Sequence, residues 1–152
     1  MTAFGEQRIV VTGGSGFLGT HVVAELRSRG ARAVMVPRSS RWDLTDRAAA
    51  AAMFAEARPD LVIHLAARVG GIGANRRHPG TFFRDNMAMG LNVLDAARVA
   101  GTRKVVVAGT ICAYPKLAPI QFRVDDLWIG YPEETNAPYG IAKKALLVMA
   151  QS

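Results

Sequence analysis

Short apolar runs alternate along the chain with segments whose apolar positions recur at helical spacing, and Gly, Pro or charge closes each one. Arg8-Ile9-Val10-Val11-Thr12 is β-branched and ends at glycines, which predicts a strand. From Gly16 to Arg29, the positions Phe17, Leu18, Val22, Val23 and Leu26 predict a helix stopped by Gly30. Ala33-Val34-Met35-Val36 reads as a second strand closed by Pro37. Asp46 is placed to cap a helix over Ala48–Ala57, a run of strong helix formers that Pro59 ends. Leu61-Val62-Ile63-His64-Leu65 predicts a third strand and Lys104-Val105-Val106-Val107-Ala108 a fourth. Between them, Pro79 to Ala100 predicts a long helix with Phe83, Met87, Leu91, Leu94 and Val99 as its apolar face. Residues 111–138 hold Pro115, Pro119, Pro132 and Pro138 and predict a long irregular loop, of the kind that is usually functional. A last helix starts near Tyr139 and is still apolar-periodic at Ser152.

The strands are continuously apolar rather than alternating, as strands covered on both faces are. Strand–helix alternation of this kind predicts an α/β fold with a parallel, Rossmann-type doubly wound sheet. With 152 residues, the expectation is one NAD(P)-binding Rossmann domain over 1–152. Only four strands are clear where about six are common, and the last helix is unfinished. The expectation is therefore the N-terminal part of a longer fold whose C-terminal substrate domain is missing from this chain.

Composition narrows the classes. Half of the residues are hydrophobic, which excludes intrinsic disorder. No run approaches the ~20 residues that span a membrane, and no basic segment followed by an apolar block opens the chain. The single cysteine, Cys112, fits a reducing compartment, so the expectation is cytoplasmic. The formal charge is +7, but the basic residues are scattered. Their densest cluster, Arg76-Arg77-His78, has no interleaved aromatics, which speaks against nucleic acid and leaves a basic surface or an anionic small ligand. No metal site is expected.

Thr12-Gly13-Gly14-Ser15-Gly16-Phe17-Leu18-Gly19 joins the first strand to the first helix and satisfies two glycine registers, at 13, 16 and 19 and at 14, 16 and 19. Glycines here permit a sharp turn and close approach of backbone to a pyrophosphate, which the helix N-terminus then receives. A ligand-free glycine turn is the plainer alternative. Its place after a first strand and inside a βαβ unit favours dinucleotide binding by Gly13, Gly14, Ser15, Gly16, Phe17, Leu18 and Gly19. The second strand ends Val36-Pro37-Arg38-Ser39-Ser40-Arg41 without the carboxylate that grips the ribose of NAD. Arg38 and Arg41 suit the 2′-phosphate of NADP, or else are two solvated loop arginines. Trp42-Asp43-Leu44 lies where an adenine edge would rest.

Tyr139-Gly140-Ile141-Ala142-Lys143 sets a tyrosine and a lysine four apart on one helix face. An ammonium beside a phenol stabilises the phenolate, so Lys143 is expected to lower the pKa of Tyr139. Together with the glycine turn, this pair resembles the short-chain dehydrogenase/reductases of the extended branch. His64-Leu65-Ala66-Ala67 is similar to the segment that lines the cofactor in that branch, which brings in Leu65, Ala66 and Ala67; His64 itself reads as a core-edge histidine. Arg68-Val69-Gly70-Gly71-Ile72-Gly73-Ala74-Asn75, Gly109-Thr110-Ile111-Cys112-Ala113-Tyr114-Pro115-Lys116 and Gly130–Tyr139 resemble the GDP-L-fucose synthases within it.

That resemblance implies an NADPH enzyme that epimerises a 4-keto sugar nucleotide at C3 and C5 and then reduces C4. It implies Cys112 as an acid–base, although a lone cysteine is commonly only structural. It also implies that Thr110, where the family usually carries serine, bonds the ketone oxygen. Tyr139 would be the proton donor at C4, and Lys143 would support it and reach the nicotinamide ribose. The partner implied is a GDP-sugar. A homodimer built from the helix over roughly 80–100 and the one from Tyr139 is implied as well, with Leu146, Leu147 and Met149 left bare if that helix is cut short. Two departures stand out. The family's second epimerisation group is a histidine beyond the tyrosine, whereas His21, His64 and His78 all precede it. The residues that grip GDP belong to the family's C-terminal half. The expectation is dinucleotide binding without turnover by these residues alone. Another nucleotide-sugar epimerase or dehydratase, and a non-catalytic dinucleotide-binding fragment, are the alternatives.

Overall fold

The computed structural model describes residues 4–152, arranged as two compact units. The first takes residues up to Ala67 and then Ala88–Ala108; the second takes Arg68–Met87 and Gly109–Ser152.

The first unit is built on four parallel strands, β1 (Arg8–Thr12), β2 (Ala33–Met35), β3 (Leu61–His64) and β4 (Lys104–Val107), in the order β2-β1-β3-β4. Val10 pairs with Met35 on one side and with Val62 on the other. The chain thus leaves β1 toward one edge and returns past it toward the other. That reversal, beside the carboxyl ends of β1 and β3, is where a doubly wound sheet receives ligands. Alternate side chains of the strands enter separate cores. Ile9, Val11 and Leu61 pack with Val23 and Leu26 of α1 (Phe17–Ser28). Val10 and Val62 pack with Ala50, Met53 and Phe54 of α2 (Arg47–Ala57) and with Trp42, Leu44, Val93 and Ala97. Both faces of the central strands β1 and β3 are covered, as their unbroken apolar runs predict, whereas the edge strand β4 departs from that expectation with Val106 42% exposed.

Local signals place the helix ends. The Asp46 carboxylate accepts the N–H groups of Ala48 and Ala49 at 2.6 and 3.0 Å and starts α2. Gly30, at φ +88°, lets the Ala31 N–H return to the Leu26 carbonyl at 2.9 Å and closes α1.

The second unit holds α3 (Ile72–Arg77), the start of α4 (Pro79–Val99), 3-10 turns at Ile111–Ala113 and Val124–Trp128, and α5 (Ala137–Gln151). At the glycine-rich start of α3 the buried Asn75 amide donates to the Gly70 and Gly71 carbonyls at 3.0 and 3.3 Å. Two readings of the sequence are corrected. The buried stripe of α4 is Phe82, Asp85, Asn86, Val93 and Ala97 rather than the expected one, whose Phe83 and Leu91 are each 40% exposed. The helix carries two apolar stripes, and the buried one includes polar residues because the loop after Ala67 needs hydrogen-bond partners. Leu146, expected bare, is only 1% exposed, and Leu147 and Met149 are half-buried. The long irregular loop is less irregular than its prolines suggest: Pro115 and Pro132 form an antiparallel bridge, and the Lys116 N–H donates to the Tyr131 carbonyl at 3.0 Å.

Candidate functional site

The turn after β1 is closed by backbone contacts that only glycine permits. Gly13 sits at φ +70°, and a Cβ there would lie 2.7 Å from the Ala66 nitrogen. At Gly14 it would lie 2.9 Å from the Val11 carbonyl oxygen, and at Gly19 only 2.2 Å from that of Gly13. Gly13, Gly14 and Gly19 therefore hold strand, turn and helix together, whereas Gly16 has more room, with its nearest neighbour at 3.2 Å. Ser15, Gly16, Phe17 and Leu18 are all exposed. No side chain caps α1, and no acidic residue stands in its first turn. The helix N-terminus thus presents free N–H groups and a positive dipole end to solvent, a cradle of the right chemistry for a diphosphate.

Thr12 ties this turn to the segment after β3. Its hydroxyl pairs with His64 Nδ1 at 2.7 Å and accepts the Ala66 N–H at 3.2 Å, while its carbonyl accepts the Leu65 N–H at 3.1 Å. His64 is buried and bonded, as a core-edge histidine should be. Leu65, Ala66 and Ala67 are half-buried beside Gly13.

After β2, Arg38 is exposed. Its carbonyl accepts the N–H groups of Arg41 and Trp42 at 3.0 and 2.9 Å. Arg41 is engaged: its guanidinium lies 4.0 Å over the Trp42 ring and 2.6 Å from a Glu56 oxygen. Trp42 and Leu44 point into the core. Asp43 stays exposed, its carboxylate accepting the N–H and hydroxyl of Thr45 at 2.9 and 2.8 Å.

In the second unit one packing contact gathers the candidate reacting groups. A Cβ on Gly140 would lie 2.1 Å from the Cys112 carbonyl oxygen, so α5 presses its first turns directly on the Ile111–Ala113 backbone. Thr110 caps that turn by accepting the Cys112 N–H at 3.2 Å. The other side of the turn is fastened by the Pro115–Pro132 bridge and by Lys116, which donates to Glu134 at 2.9 Å. Glu133 then organises the entry to α5, accepting the Thr135 hydroxyl at 2.5 Å and both the backbone N–H and amide of Asn136 at 3.1 and 2.9 Å. Lys143 is only 5% exposed, whereas Lys144 turns to the Leu127 carbonyl and the Trp128 ring.

Electrostatics correct one expectation. The Tyr139 phenol is pushed above its ordinary value, chiefly by burial, while a hydrogen bond with Thr110 pulls it back and the nearby Cys112 adds to the rise. Burial also lowers Lys143. The expected depression of Tyr139 by Lys143 is absent: the one influence that lowers the phenol is Thr110, and burial outweighs it. None of the three histidines lies on α5: His21 is on α1 with its ring 5.6 Å from that of Phe17, His64 is in β3, and His78 caps the end of α3. Among the described residues no group of three or more His, Cys, Asp or Glu side chains is placed to hold a metal, and no helix is long and apolar enough to cross a membrane.

Sequence reasoning passed over Gly140, Thr12, Asp85 and Asn86. A glycine inside a helical pattern signals a close approach, but nothing announced Asn86, whose side chain pairs with both the N–H and the carbonyl of Arg68 at 3.0 and 2.9 Å. Beside it the buried Asp85 binds Arg68 and Arg84 at 2.5 and 2.8 Å.

Known proteins are similar to this chain. The chain is 36% identical over 145 residues to a putative GDP-L-fucose synthase 2 of Arabidopsis thaliana, covering 95% of this chain and 44% of that protein. It is 35% identical over 147 residues to the GDP-L-fucose synthase of Escherichia coli K12, covering 97% and 46%. A GDP-L-fucose synthetase of Naegleria fowleri, solved bound to NADP, superposes with a TM-score of 0.89 at 30% identity, over 99% of this chain and 49% of that one. The chain thus spans less than half the length of these relatives. A family model matches residues 9–152, and the chain belongs to the NAD dependent epimerase/dehydratase family.

Proposed function

We propose that these residues form the dinucleotide-binding part of an NADPH-dependent nucleotide-sugar epimerase/reductase that converts GDP-4-keto-6-deoxymannose to GDP-L-fucose. The observation that carries this reading is the contact of Gly140 with the Cys112 carbonyl, which brings Thr110, Cys112 and Tyr139 together in segments resembling that family.

The glycine turn fits the cofactor: Gly13, Gly14 and Gly19 clear the approach, the N–H groups of Ser15, Phe17 and Leu18 receive the diphosphate while that of Gly16 closes the turn on the Gly13 carbonyl at 2.9 Å, and Leu65, Ala66 and Ala67 line its neighbourhood. Arg38 and Arg41 take the 2′-phosphate, with Asp43 and the Leu44 backbone nearer the adenosine. Bound NADPH supplies a hydride. Cys112 exchanges protons α to the ketone, since such protons are within reach of a positioned base. Thr110 donates a hydrogen bond to the ketone oxygen, which strengthens as negative charge grows there. Tyr139, held protonated by burial, gives its proton to the C4 oxygen. Lys143 holds the ribose of the nicotinamide and the charge beside the phenol.

The share of the relatives' length bears on turnover. Binding of dinucleotide is expected of these residues by themselves; epimerisation is not, because no histidine follows Tyr139. We assign the exposed α4 stripe with Phe83 and Leu91 to a homodimer contact. The test is a chimera joining this chain to the remaining part of the E. coli relative. With GDP-4-keto-6-deoxymannose it should oxidise NADPH, lose that in Y139F, and lose solvent-deuterium incorporation at C3 and C5 in C112A. Unchanged rates in both variants would defeat the reading.

A further inference from the structure

We propose that Glu56 is a specificity-determining residue of the dinucleotide site, its carboxylate competing with a ribose 2′-phosphate for Arg41. The inference rests on the NADPH reading above and adds to it a residue from α2 that neither the glycine turn nor the β2 loop contains.

Arg41 is fixed at two points. Its guanidinium stacks 4.0 Å over Trp42, a ring only 9% exposed and rooted in the core, and one terminal nitrogen lies 2.6 Å from Glu56 Oε2. The stack sets where the guanidinium sits; the ion pair occupies one of its five N–H donors. Both partners are open to solvent, with side-chain exposures of 63% and 49%, so an anion in solution reaches the same donors. Arg38 stands three residues earlier on the same turn, whose backbone is closed by the Arg41 and Trp42 N–H groups donating to the Arg38 carbonyl. A phosphate received by this turn meets two guanidinium groups and one carboxylate.

Glu56 is poorly placed for its own helix. It lies in the last turn of α2, where the dipole disfavours an anion. A dianionic phosphate brought to Arg41 must displace that carboxylate or sit beside it, and like charges at contact distance repel. A cofactor without the 2′-phosphate ends in neutral hydroxyls and pays no such cost. Glu56 therefore trims the preference for the phosphorylated dinucleotide that Arg38 and Arg41 create.

The test is calorimetric titration of NADP+ and NAD+ into the full chain, wild type and E56Q, at low salt, with circular dichroism confirming that both fold alike. E56Q should tighten NADP+ by about twofold to fivefold, the worth of an exposed ion pair, leave NAD+ unchanged, and lose most of the gain in 0.5 M salt. R41A should weaken NADP+ selectively, and E56Q should bring no gain in the R41A background. An E56Q chain with unchanged or weaker NADP+ binding, or with both dinucleotides shifted alike, overturns the proposal. A wild-type chain that binds neither dinucleotide, or NAD+ as tightly as NADP+, overturns the NADPH reading itself and this proposal with it.

Discussion

Replacing Gly140 by alanine tests the contact on which the second unit is built. A methyl group at 140 stands 2.1 Å from the Cys112 carbonyl oxygen and 2.8 Å from its carbon, and ordinary contact begins near 3.4 Å. The overlap is about 1.3 Å, and it involves backbone on both sides, so no rotamer change relieves it. Overpacking of this kind costs about 1–3 kcal/mol, and the absence of a flexible partner puts G140A at the upper end. Alanine in place of glycine inside a helix returns ~1 kcal/mol, which leaves a net loss of about 2 kcal/mol. For a chain of this size that is a fall in Tm of roughly 4–8 °C. Gly80, in the first turn of α4, is the control: a Cβ there meets nothing within 4 Å, so G80A should melt with the wild type or slightly above it. Thermal unfolding by circular dichroism of the three chains decides. If G140A melts at or above the wild type, α5 does not press on the Cys112 turn, and the gathering of Thr110, Cys112 and Tyr139 loses its cause.

Other outcomes follow from single side chains. Asp60 accepts the backbone N–H of Arg8 at 2.8 Å and its guanidinium at 2.9 Å, and these bonds hold its carboxyl far below the ordinary value. A depressed folded-state pKa contributes stability above the ordinary carboxylate pKa, about 3.9, that is lost as pH falls below it. Urea unfolding between pH 5 and 2 should therefore show a steeper loss in the wild type than in D60N, and equal slopes would refute the linkage. T110V removes the hydrogen bond that lowers the Tyr139 phenol, so the tyrosinate absorbance that disappears in Y139F should rise at higher pH in T110V; a shift to lower pH contradicts the assignment. T12V removes the hydroxyl that pairs with the buried His64 Nδ1 and accepts the Ala66 N–H, at about 1–3 kcal/mol in urea. A variant as stable as the wild type would show that the hydroxyl ties nothing together.

Much of the sheet was legible because its signals are local. Three of the strands are short runs rich in β-branched residues and β2 is a short apolar one, and Asp46, Gly30 and Pro59 mark helix ends by properties of their own backbone and side chain. The glycine turn was legible for the same reason: Gly13, Gly14 and Gly19 are demanded by close approach, and little else tolerates it. What could not be read involves partners distant in sequence. The choice between the two apolar stripes of α4 is made by Asn86 and Asp85 answering the Arg68 backbone and guanidinium, eighteen and seventeen residues away. The rise at Tyr139 depends on how deeply the phenol is buried, which a Tyr–Lys spacing does not state. Arg41 read as a phosphate ligand because its partner, Glu56, sits fifteen residues on, in α2.

The central claim is that the exposed amides at the start of α1 receive a dinucleotide diphosphate. Gly16 is the position at which to ask, since a Cβ there meets only the Gly13 carbonyl oxygen, at 3.2 Å, against 2.2–2.9 Å at Gly13, Gly14 and Gly19, yet would stand where the anion must come. Titrating NADPH by its fluorescence into the wild type and G16V should show saturable binding in the first and at least a tenfold loss in the second, with circular dichroism showing both chains folded. Absence of binding to the wild type, or equal binding by G16V, would contradict the account.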